Sequence, residues 1–379
     1  MNRFSLPTVS AALCLLLTSA SSGTAQEARF DPALLATLNK EVRESYAHLD
    51  ELYEHLHRNP ELSFHETETS ARVAAELQKA GFAVTEHVGG NGVVGVLKNG
   101  DGPTVLIRTD LDALPVTEQT GLGYASTIRV TDDEGKEVGV MHACGHDLHM
   151  TVFCGTARVL SKLREAWHGT LVMIGQPAEE KGAGAKAMLA DGLYTRFPRP
   201  DYCIALHSNP ALATGTVGYH PGFALANVDA VDITVHGIGG HGAYPHTTKD
   251  PVVIAAQIVL ALQTIVSREI NPLEPAVVTV GSIHGGSKHN IIPDEVKLQL
   301  TLRSYSDQVR EQTIAAIKRI CNGIAQAAGV PEEKWPTVTV LDEFTPATYN
   351  DPELTQHLAA TFRQVLGDQN VVETAPVMG

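Results

Sequence analysis

The chain has 379 residues, with 28 Lys plus Arg against 43 Asp plus Glu and a formal charge of −15. A chain of that length is expected to form two domains with a sizeable buried core. The acidic balance offers no basic surface for nucleic acid or an anionic membrane, and it sets both aside as partners.

Residues 1–25 read as a secretory signal. Arg3 gives a short basic start, an apolar run covers 11–17, and Gly23-Thr24-Ala25 makes a small-residue cleavage site. The run is too short to span a bilayer. The expectation is a secreted or periplasmic protein, and Leu13 before Cys14 speaks against a lipoprotein anchor.

Asp31-Pro32 pairs a cap with a proline at the first helical position, and Leu35, Leu38, Val42, Leu49, Leu52 and Leu56 follow at helical spacing. That helix should stop near Asn59-Pro60. A second helix is expected over about 67–79, ending at Gly81. Short apolar segments then alternate with helical ones at 92–97, 104–109, 150–163, 170–175 and 202–206, an α/β pattern with a largely parallel sheet. In such sheets ligands gather outside the carboxyl ends of the strands. Asp110 and Asp112 follow one candidate strand, Glu179 and Glu180 another, and His207 ends a third.

After Phe223 the order becomes strand, helix, strand, strand, helix, strand over 228–235, 250–267, 277–284, 296–303, 307–327 and 337–341. That is a ferredoxin-like α+β insert. The expected division is therefore 26–223 with 346–379 as one domain and 224–345 as the insert, with one more helix at 352–366.

The densest chemistry lies in Met141-His142-Ala143-Cys144-Gly145-His146-Asp147-Leu148-His149. Thiolate, imidazole and carboxylate together suit zinc or a similar transition metal, whereas calcium or magnesium favours oxygen alone. Cys144 and His146 flank a glycine that lets the backbone bend so that both reach one centre. Glu179-Glu180 offers one ligand and one general base. His142 alone reads as an ordinary core or surface histidine. A nucleophilic Cys144 with Asp147 and a nearby histidine is the competing reading, and it leaves the paired glutamates without a role. Cys154 and Cys203 lie in apolar runs and read as small buried hydrophobes.

With these segments stand His57-Arg58-Asn59-Pro60-Glu61-Leu62, Arg108-Thr109-Asp110-Leu111-Asp112-Ala113-Leu114-Pro115, Gln176-Pro177-Ala178-Glu179-Glu180, Gly239-Gly240-His241-Gly242-Ala243-Tyr244-Pro245-His246 and Asn290-Ile291-Ile292-Pro293. Together they resemble the hippurate hydrolase and indole-acetyl-amino-acid hydrolase family of di-metal amidohydrolases, relatives of the aminoacylases. The resemblance implies a zinc-exopeptidase-like catalytic domain, a mixed and mostly parallel sheet flanked by helices. It implies two divalent ions (Zn, Mn, Co or Ni) on Cys144, His146, Glu180 and His207, with Glu179 as general base and Asp112 orienting the site. The insert becomes a lid that also forms a homodimer. There His241, Asn290 and Arg303 meet the substrate, an N-acyl or N-aroyl amino acid, and His241 reaches the partner subunit's site. Family members continue past the Pro-x-Met-Gly found here at 376–379, so a further metal-binding histidine is expected beyond residue 379. The alternatives are a metallo-carboxypeptidase or dipeptidase with the same centre, and a noncatalytic metal-stabilised dimer.

Overall fold

The computed structural model describes residues 31–342 and 344–379, and the expected signal segment lies outside them. The chain divides into two compact units, one running up to Tyr219 and including His357–Val372, the other comprising His220–Gln356 and Glu373–Gly379. The return to the first unit thus falls at His357 rather than near 346, and residues 373–379 group with the second unit.

In the first unit, α1 (Pro32–Arg58) starts where the Asp31 carboxylate accepts from Ala33 N at 2.9 Å, with Pro32 at the first helical position. Leu38, Leu49, Leu52 and Leu56 form its buried stripe. Next come α2 (Thr67–Lys79), β1 (Ala83–Val88), β2 (Gly92–Asn99), β3 (Thr104–Asp110), α3 (His146–Lys162), β4 (Gly169–Gln176), α4 (Gly184–Ala190) and β5 (Tyr202–Ala205). The sheet order is β1-β2-β4-β3-β5. It is mixed: β2 pairs antiparallel with β1 and β4, while β3 runs parallel to β4 and β5. Register sets Asp110 opposite Gln176 and Arg108 opposite Ala205, so β4, β3 and β5 end along one edge.

Both faces of this sheet are covered, and alternation along the strands shows it. Val105, Ile107, Leu171 and Met173 pack with Leu52, Leu56, Met150, Phe153 and Leu160 from the helices on one side. The intervening Leu106, Val172 and Ile174 meet Met188 and Leu193 on the other. Sheets buried on both faces read as continuous apolar runs, which is how these strands appear in sequence. Cys154 is buried as expected, whereas Cys203, on the edge strand β5, is exposed.

The second unit contains β6 (Asp229–His236), α5 (Pro251–Thr264), β7 (Ala276–Gly285), β8 (Glu295–Ser304), α6 (Asp307–Ala327) and β9 (Thr337–Val340). Its antiparallel sheet has the order β7-β8-β6-β9, with α5 and α6 buried against one face. This is the split βαβ arrangement of a ferredoxin-like unit. α5 is capped by Asp250, which accepts from Val252 N at 2.9 Å, and it runs into one π turn at Ile265–Glu269. Helix α7 (Pro352–Leu366) carries the chain back to the first unit.

Candidate metal centre

Three strand ends and one helix start converge in the first unit. Gly145 adopts φ +82° as the residue before α3, and a Cβ there would lie 2.7 Å from Ser208 Oγ, so glycine is strongly favoured at the turn between Cys144 and His146. His146 Nδ1 donates to the Asp112 carbonyl at 2.8 Å, which leaves Nε2 facing the other side chains. From that nitrogen Glu180 Oε1 is 3.7 Å away, Glu179 Oε2 3.8 Å and Asp110 Oδ2 3.6 Å. Cys144 Sγ lies 3.4 Å from His207 Nε2, while His207 Nδ1 donates to the Ser208 carbonyl at 2.7 Å.

Cys144, His146 and His207 form one donor set and His146, Glu179 and Glu180 a second, each with its donor atoms within 4.8 Å of one another. His146 Nε2 and Glu180 Oε1 are buried without a hydrogen-bond partner. Buried orphan atoms of this kind carry a desolvation cost that a cation removes. The mixed sulfur, nitrogen and oxygen donors fit transition-metal ions.

Electrostatics point the same way. Burial and the Glu180 and Glu179 carboxylates push the Cys144 thiol up to about 12, so its thiolate needs a neighbouring cation. That weighs against the metal-free nucleophilic reading of Cys144. Burial, reinforced by Glu179, also raises Glu180 above the usual carboxylate range. For Asp110, burial is outweighed by the His149 hydrogen bond and the Arg108 guanidinium, which hold it far below that range.

Asp112 is fully buried and ties the pieces together. Its Oδ2 accepts from Ser63 Oγ at 2.6 Å and from Glu180 N at 3.0 Å, and Oδ1 lies 3.5 Å from His146 Nδ1. Sequence reasoning missed Ser63. It also missed Glu66, whose buried carboxylate accepts from Ala178 N at 2.7 Å and so holds the turn, strained at φ +46°, that presents Glu179 and Glu180. No local pattern marks Glu66, since its partner lies 112 residues away. His57, in the His-Arg-Asn-Pro segment, braces the start of α3 through Nδ1, 2.6 Å from Asp147 Oδ2. His142 is buried with both ring nitrogens unpartnered, and burial pushes it down to about 4, so it is neutral.

The remaining expected site residues lie in the second unit. His241 and Asn290 are neighbours, because His241 pairs with Ile291 and Gly242 N donates to Asn290 O at 2.9 Å. Arg303 sits near the end of β8, half-buried and opposite Val277. About 26 Å of strand separates it from Glu295 at 3.3 Å per residue.

The profile of peptidase family M20/M25/M40 matches residues 106–379. Thermostable carboxypeptidase 2 of Saccharolobus solfataricus is 37% identical over 91% of this chain and 84% of its own. Hippurate hydrolase of Campylobacter jejuni is 36% identical over 87% of this chain and 82% of its own. Among solved structures, the YXEP protein of Bacillus subtilis, described as a dinuclear metal-binding peptidase of the M20 family, superposes with a TM-score of 0.74. It is 29% identical, over 89% of this chain and 84% of that one. The donor cluster at the strand ends and these likenesses agree: the chain belongs to peptidase family M20/M25/M40 and is a metal-dependent amidohydrolase using two divalent ions.

Proposed function

We propose that the chain hydrolyses the amide bond of N-acyl or N-aroyl amino acids, releasing a carboxylic acid and a free amino acid. The observation that carries this reading is the split between two adjacent carboxylates. Glu180 turns a buried, unpartnered oxygen toward His146, whereas Glu179, 3.8 Å from the same nitrogen, keeps 36% of its side chain open to solvent. A buried carboxylate suits ligation and an accessible one suits proton transfer.

Cys144, His146, Glu180 and His207 are the proposed ligands, and the ions they hold supply Lewis acidity and lower the pKa of water toward ~7. Glu179 takes the proton of the attacking water and returns it to the leaving amine. Asp112 keeps the His146 ring and the Glu180 backbone in place during that transfer. In the second unit, Arg303 suits a free α-carboxylate, Asn290 adds a polar contact, and His241 suits the developing oxyanion. His241 and Asn290 are neighbours, and Arg303 lies near the far end of β8; a homodimer in which a second copy contributes His241 is part of this proposal. Light scattering tests that assembly. Release into the periplasm or medium is the corresponding proposal for residues 1–25, checked by cell fractionation.

The relative named hippurate hydrolase supports an aroyl amino acid, and the one named carboxypeptidase supports a second reading, removal of a C-terminal residue from a short peptide. A panel of acyl-amino acids and dipeptides, assayed with and without a chelator, separates the two. Chelator-sensitive turnover greatest on acyl-amino acids is expected, and dipeptides turned over faster would favour the second reading. Chelator-insensitive turnover blocked by a thiol alkylator would sink both.

A further inference from the structure

His149 stands one turn into α3, and the proposed chemistry leaves it without a role. Its ring links β3 to the turn after β5. Nδ1 lies 2.8 Å from Asp110 Oδ1, and the Ser208 N–H donates to Nε2 at 2.8 Å. A backbone N–H can only donate, so Nε2 is unprotonated and Nδ1 carries the proton that goes to Asp110. Both nitrogens are committed to protein partners. His149 therefore has no atom left for a metal, although it falls in a donor set with Asp110 and His146.

Ser208 joins His149 to the metal centre. Its carbonyl accepts from His207 Nδ1 at 2.7 Å, and its hydroxyl donates to the Cys144 carbonyl at 3.2 Å. The His149 and His207 rings meet edge to face with centroids 4.5 Å apart. Asp110 is itself pinned by Arg108 at 2.9 Å, and both Asp110 and His149 are buried. An unbroken chain thus runs from the end of β3 through His149 and Ser208 to His207 and the backbone of Cys144.

We propose that Asp110 and His149 are a positioning pair. They hold Ser208 where its carbonyl aims His207 Nε2 at Cys144, and so set the affinity of the metal position those two side chains share. Partners that orient a metal-binding histidine typically change metal affinity about 10–100-fold when removed. The inference rests on His207 being a ligand.

The test compares metal-stripped wild type, His149→Phe, His149→Gln and His207→Ala. Each is titrated with Co(II), reading equivalents bound, dissociation constants and the cobalt absorption bands, and the melting of each metal-free protein is recorded. Phe fills the ring's place but makes neither bond. Gln carries an amide oxygen that can reach the Nε2 position and accept from the Ser208 N–H. The expectation is that His207→Ala loses one tight equivalent, and that His149→Phe weakens the same equivalent at least about tenfold with altered cobalt bands. His149→Gln should recover most of the affinity, with metal-free melting near wild type in both His149 variants. If His149→Phe binds both equivalents as wild type does while His207→Ala loses one, the positioning role is overturned alone. If His207→Ala binds as wild type does, the ligand reading falls and the proposal with it. Equal loss in the Phe and Gln variants, or metal loss that tracks a fall in metal-free melting, marks a merely structural histidine and overturns the proposal.

Discussion

His146 and Glu180 face each other across 3.7 Å, Nε2 to Oε1, with both atoms buried and neither bonded to another protein group. Two acceptor-capable atoms held this way want a cation between them. Removing either donor, by His146→Ala or Glu180→Gln, should abolish tight binding of at least one metal ion, read by elemental analysis after gel filtration. Retention of both ions in both variants would show that the pair is not part of the centre.

Glu179→Gln should give a different result. The amide cannot accept a proton, so turnover should fall by about 10²–10⁴-fold, while metal content stays at the wild-type level because Glu180, the proposed ligand next door, is intact. If metal is lost instead and Glu180→Gln keeps it, the two glutamates exchange roles.

Gly145→Ala attacks the turn between the first two proposed ligands, Cys144 and His146. The backbone there is left-handed, and the new methyl would meet Ser208 Oγ at 2.7 Å. Destabilisation of more than about 1 kcal/mol is expected, together with weaker metal binding, since Cys144, His146 and Ser208 all move with that turn. A melting temperature and metal content equal to wild type would show that the turn relaxes freely.

Glu76 supplies a pH dependence away from the centre. Burial disfavours its charge, but His48 at 2.7 Å and Lys79 at 3.0 Å outweigh that and hold it below the ordinary value of 4.5. A depressed folded-state value means the carboxylate's contribution is fully present above 4.5 and is lost as pH falls below it, through the folded-state value. Thermal melting of wild type and Glu76→Gln should therefore differ most at neutral pH and converge in acid. A gap that stays constant down to pH about 3 would mean that Glu76 does not titrate with folding.

Much of the fold and the centre was legible in local pattern. The caps at Asp31 and Asp250 mark helix starts because a short carboxylate before a proline satisfies an otherwise orphaned amide. The apolar runs before Asp110 and Glu179 mark strands because both faces of the sheet are buried there, and the run before His207 marks the edge strand β5, of which only Ile204 joins the core. The Cys-Gly-His spacing announces a metal by donor chemistry alone. β1 escaped notice because only Val88 of its residues is buried and, among the described residues, it lies at the sheet edge beside β2. The exposure of Cys203 was hidden because an apolar run does not reveal that its strand lies at a sheet edge.

The sequence by itself determined the donor types, the strand ends that carry them and the βαββαβ order of the second unit, because these depend on neighbours within a few residues. Only the tertiary structure decided that β4 lies between β2 and β3, which sets Glu180 beside His146. The same holds for Glu66 clasping Ala178, His149 holding Ser208, and His241 pairing with Ile291 beside Asn290. Strand order and register arise from packing whole faces against one another, and hydrophobic periodicity records which face is buried without recording its partner.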